Sequence, residues 1–183
     1  MESSPIVPFT SEIFARRYLD AMPDLTLVVW AENMVMAGFD SDNLSILLGE
    51  IAPFNKFEID NILDRIQSEL KIPQINSRSE AIEIVATARI HRFIRGLTSS
   101  ASAMSELASL YTHDDETKCI CDFYLLHYAA IDLKIGEYQY YWPDANRKNI
   151  EKVIKARCVR WLEDHPLVAW RKYEWQIRNQ KFR

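Results

Sequence analysis

Residues 118–135 read KCICDFYLLHYAAIDLKI. Ile120, Tyr124, Tyr128, Ile131 and Ile135 fall at helical intervals on one side, and Phe123, Leu126, Ala130 and Leu133 on another. A helix that is apolar nearly all round belongs in the middle of a bundle. The stretch therefore predicts a central, most-buried helix, opened by residues 114–117 and stopped by Gly136.

Downstream, residues 137–143 (EYQYYWP) predict a compact aromatic corner. Asp144 or Asn146 is placed to cap a helix with Ile150, Val153, Ile154, Trp161 and Leu162 inward and Lys148, Lys152 and Lys155 outward. Glu151 and Lys155 have i,i+4 spacing for an ion pair. Pro166 starts a final helix bearing Trp170, Tyr173, Trp175 and Ile177.

Upstream, Thr10 or Ser11 can cap a first helix reaching about Met22. Pro23 and Asp24 open a second, ended by Gly38. Residues 25–30 contain Thr26 and two valines, a strand-like composition, but residues 31–37 favour helix. Asp40 or Ser41 caps a short helix to Leu48. Asn55 and Glu58 have capping-box spacing ahead of the stripe Ile59, Ile62, Leu63, Ile66 and Leu70, with Asp60, Asp64 and Gln67 on another face. Ser77 and Glu80 form an S-x-x-E box before Ile82, Val85, Ala86, Phe93 and Ile94, and Gly96 stops that helix. Residues 99–111 read as a Ser/Ala-rich helix. The expectation is an all-α fold, a single-domain helical bundle of about eight or nine helices over residues 1–183.

Composition agrees. Of 183 residues, 48% are hydrophobic and 26% charged, ordinary values for a packed core, and four glycines are too few for a turn-rich β fold. A chain this long buries roughly 70% of its unfolded surface without disulfides or metals. Cys119, Cys121 and Cys158 are odd in number, which argues against a secreted disulfide framework. The C-x-C of Cys119 and Cys121 supplies at most two metal ligands, so no metal or cofactor is expected. The N-terminus lacks a signal peptide's basic region and apolar stretch, and no run approaches a membrane span, so the expected location is the cytoplasm.

Charge is polarised. Residues 1–145 hold 22 Asp/Glu against 11 Lys/Arg, and residues 146–183 hold 4 against 11. Opposite charges meeting across the domain would account for most of this. An acidic surface also steers a basic protein partner. Aromatics among the basic C-terminal residues, Trp161, Trp170, Tyr173, Trp175 and Phe182, could touch nucleic acid, but at helical spacing they read as core, and the chain as a whole is acidic.

Two catalytic patterns can be placed on the chain. His91, then His113-Asp114, then Asp132 follow the order of an HD-type metal phosphohydrolase, in which imidazoles and carboxylates hold a water-activating divalent ion. The pair stands in THDDET, which reads as a loop and helix cap. Arg160 and His165 match the short HEPN ribonuclease pattern, with Trp161 where that family places a polar residue. His127 has no acid one turn away and reads as a partly buried histidine. No Walker loop, dinucleotide fingerprint, nucleophile elbow or H-E-x-x-H occurs.

Two stretches, residues 27–70 with VWAENM, GFDSDNL and NKFEID, and residues 132–162 with DLKIGEYQYYW, resemble small bacterial helical proteins, some of them like immunity proteins encoded beside polymorphic or contact-dependent toxins. The resemblance implies a bacterial source and a binding role, and it transfers no site residues. With the charge balance, it gives an expected function of neutralising a cognate toxin, with nucleases among the candidates, by direct contact. Asp40, Asp42, Glu50, Asp60 and Asp64 are the candidate contact residues. The alternative is an all-α enzyme of the HD or HEPN type.

Overall fold

A computed structural model describes residues 10–113 and 115–165. The final helix expected from Pro166 lies outside these residues, as does Asp114. The described chain is all-α: α1 (Thr10–Tyr18), α2 (Thr26–Met36), α3 (Asp42–Leu48), α4 (Lys56–Glu69), α5 (Arg78–Ile94), α6 (Ser100–Leu110), a 3-10 helix η1 (Asp115–Ile120), α7 (Cys121–Ile135) and α8 (Ile150–Asp164). No strand occurs among the described residues. The backbone groups into two compact units that divide within α5, between Ala81 and Ile82.

In the first unit, α1 ends four residues before the expected Met22. Asp20 adopts a left-handed conformation, φ 61°, its N–H bonded to Arg17 O, while Ala21 N–H bonds back to Arg16 O. This is a Schellman ending, which stops a helix by satisfying its last carbonyls. The core of the unit forms where α1 meets α2. Phe14 and Trp30 pack edge to face at 5.8 Å, and the buried Thr10 hydroxyl accepts from Trp30 Nε1 at 2.9 Å. Leu44 and Leu47 of α3 and Ile59, Leu63 and Ile66 of α4 are also buried. The expected caps hold: Ser41 Oγ accepts from Leu44 N–H, and Asn55 Oδ1 from Phe57 N–H.

In the second unit, Trp161 of α8 is fully buried, donates from Nε1 to Thr87 Oγ1 at 3.0 Å, and packs against Phe123 of α7 at 5.5 Å. Arg157 lies over the same Phe123 ring and donates from Nε to Asp122 at 2.6 Å. Small residues let α6 pack along α7, with Ala103, Met104 and Leu107 buried.

The expectation that α7 is the most buried helix is corrected. Only Phe123, Leu126, Ala129 and Leu133 are buried on it. Tyr128, Ile131 and Ile135 are exposed, and the 3-10 helix replaces its expected first turn. More residues are buried on α5, where Ala81, Ile82, Ile84, Val85, Ala86, Thr87 and Ile90 are all covered. The aromatic corner is also turned outward. Tyr138 and Tyr140 are exposed, and the organising side chain is Gln139, whose Oε1 accepts from Tyr141 and Trp142 N–H and whose Nε2 donates to Trp142 O and Ala145 O.

Candidate functional site

The five candidate carboxylates fall in two places on the first unit. Asp40 and Asp42 are exposed beside the N-terminus of α3, and Glu50 is half-buried just beyond its C-terminus. Asp42 occupies the first turn, where a carboxylate complements the helix dipole. Next to them, Ser41 Oγ and Asn43 Nδ2 both donate to Glu69, each at 2.5 Å.

Asp60 and Asp64 lie elsewhere and are not free. Arg17 of α1 reaches Asp64 at 2.7 Å and Asp60 at 3.4 Å. Lys56 reaches Asp60 at 2.7 Å and Asp20 at 2.9 Å, and the hydrogen bonds its ammonium donates to both carboxylates hold it charged above the usual lysine range. Three carboxylates and two cations therefore share one network, along a groove of about 410 Å³ that Gln67 and Gln74 also line. The i,i+4 spacing of Lys56 and Asp60 signalled part of it in sequence. Nothing local in the sequence signalled Arg17.

Beside this network, Asp24 is engaged by Arg16 at 2.5 Å and accepts from Thr26 N–H at 2.9 Å and from the Thr26 hydroxyl. Partial burial raises its pKa, but the hydrogen bonds from Arg16 and Thr26 outweigh that and hold the carboxyl below its ordinary 3.8.

The described catalytic candidates are spread over several elements. His91 is half-buried near the end of α5, Asp132 is half-buried on α7, and His113 is exposed beyond α6, with its ring beside Tyr111 and Tyr124. Among the described residues, no three His, Cys, Asp or Glu side chains gather where they could hold a metal ion. Arg160 is exposed and lies 3.6 Å from Asp164. His165 stacks on Trp161, ring centroids 3.6 Å apart, with its Nδ1 3.1 Å from the Trp161 carbonyl. Those partners occupy the two residues separately.

Cys158 is buried, and burial pushes its thiol up to about 12. Cys119 and Cys121 are half-buried, and burial also raises Cys119. His127 is half-buried, and burial lowers its pKa. No helix of the described residues is long and apolar enough to cross a membrane.

Sequence reading missed an aromatic row on the second unit. Tyr111, Tyr124, Tyr128 and Tyr141 follow one another at centroid separations of 4.6, 4.9 and 5.7 Å. The 124/128 spacing was legible, but its outward direction was not.

No protein-family model, no curated protein and no solved structure matches the chain.

Proposed function

We propose that this protein is of the immunity type, binding a basic protein toxin directly through the acidic surface of its first unit and so blocking it. The observation that carries this reading is charge. Residues 10–81 hold 12 Asp/Glu against 6 Lys/Arg. Arg17 and Lys56 pair with Asp60 and Asp64, while Glu32, Asp40, Asp42 and Glu58 are exposed and form no ion pair with another described residue. Such a surface raises the encounter rate with a basic protein and sets its approach. A nuclease is the class of toxin it suits, because carboxylates can stand where that toxin expects phosphates.

The experiment is co-purification and binding kinetics with the product of an adjacent toxin gene, alongside rescue of growth when the toxin is expressed. Tight binding with growth rescue is the expected result. Failure to bind any neighbouring gene product would reject the reading.

A further inference from the structure

Helix α2 has two apolar faces. Leu27, Trp30, Ala31 and Met34 are buried. On the opposite side, Leu25, Val29, Glu32 and Met36 recur at intervals of four, three and four residues, one face of a helix. The three apolar members are 65%, 54% and 74% exposed. Glu32 is exposed between them and makes no ion pair with another described residue.

An apolar ridge interrupted by one carboxylate can bury its apolar members against a partner while the carboxylate discriminates between partners by charge. A convex helical ridge packs against another helix, ridge into groove. Charge decides which helix. A second copy docking through its own α2 would set another Glu32 in the same seam and bring the acidic balance of its first unit, 12 Asp/Glu against 6 Lys/Arg in residues 10–81. A basic partner meets an opposite charge instead.

We propose that the outward face of α2 docks an amphipathic helix of a basic protein partner, with Leu25, Val29 and Met36 taking its apolar stripe and Glu32 pairing with a Lys or Arg beside that stripe. This rests on the binding function proposed above and adds its contact surface. Asp40 follows Met36 by four residues in the chain, past the turn at Gly38.

The test uses the full chain and two synthetic amphipathic helical peptides, one Leu/Lys and one Leu/Glu, with affinities measured by calorimetry. The wild type should bind the Leu/Lys peptide and ignore the Leu/Glu peptide. Val29→Asp should weaken Leu/Lys binding about tenfold, or 1.4 kcal/mol, and Glu32→Lys should do the same. The sign for Val29→Asp is diagnostic, because the added carboxylate would tighten any purely electrostatic attraction. Leu25→Ser, which adds no charge, should also weaken binding, and thermal unfolding of each variant checks its fold.

Undiminished binding by Val29→Asp, equal binding of the two peptides, or no Leu/Lys binding by the wild type would overturn the proposal. So would self-association in sedimentation that Val29→Asp abolishes, which would assign the face to a second copy. If Val29→Asp has no effect while Asp40→Lys with Asp42→Lys removes binding, the ridge is rejected and the acidic-surface function stands. If toxin binding fails while the peptide result holds, the function is rejected and the docking face stands.

Discussion

Four helices end at residues in the left-handed region, and only two of those residues are glycines. Gly38 and Gly96 have φ of 86° and 72°, and Asp20 and Lys71 have φ of 61° and 52°. The bonding is the same each time: Phe39 N–H reaches Met34 O, Leu97 reaches Arg92 O, Ala21 reaches Arg16 O and Ile72 reaches Gln67 O. The glycines announced their helix ends because only glycine takes this conformation without strain. Asp20 and Lys71 gave no such signal, which is why α1 was expected to run on to Met22. Gly38→Ala should cost about 1 kcal/mol from the left-handed backbone alone, since nothing lies within 4 Å of the added Cβ. Lys71→Gly should be neutral or stabilising by up to about 1 kcal/mol, its gain offset in part by a more flexible unfolded chain. Denaturant midpoints read both.

A second residue-scale expectation concerns pH. The Asp24 pKa is depressed in the folded state, so its ionised form contributes stability that is full above the unfolded value near 3.8. That contribution is lost as the pH falls through the lower folded-state value. Asp24→Asn should therefore be less stable than the wild type at neutral pH, with the difference closing below 3.8. Thermal melts across that range check it, and a constant difference down to the lowest pH would assign the loss to something other than the charge.

At the scale of elements, α7 carries the clearest lesson. Its two apolar stripes each satisfied the helical period, so periodicity identified a helix and could not say which side meets the core. The structure settles that by partners: Phe123 meets Trp161, while Tyr124 and Tyr128 meet other tyrosines at the surface. The same ambiguity runs through α2, where Val29 and Met34 are equally apolar and only Met34 is buried. Phe123→Ala should cost about 3–5 kcal/mol through the cavity left against Trp161. Ile135→Ser, at the exposed end of the same helix, should change stability by no more than about 0.5 kcal/mol. Equal effects in urea denaturation would contradict the assigned faces.

At the scale of the whole molecule, charge was legible as composition and illegible as geometry. The excess of carboxylates in the first 145 residues is plain in the sequence. Which of them remain available depends on Arg17, which is 43 residues before Asp60 in the chain and reaches it only once folded. The two acidic clusters should therefore respond differently to reversal. Asp60→Lys with Asp64→Lys places two more cations beside Arg17 and Lys56, so the pair should lower stability and confound any binding measurement. Asp40→Lys with Asp42→Lys alters exposed side chains around α3 and should leave most of the stability in place, with a modest loss from the reversed charge at the helix N-terminus. If the acidic surface steers a basic toxin, that second pair should slow association and flatten its dependence on salt, while dissociation changes less. Stopped-flow association at two ionic strengths decides it. An association rate unchanged by the Asp40 and Asp42 reversals, with the fold intact, would place the contact away from α3.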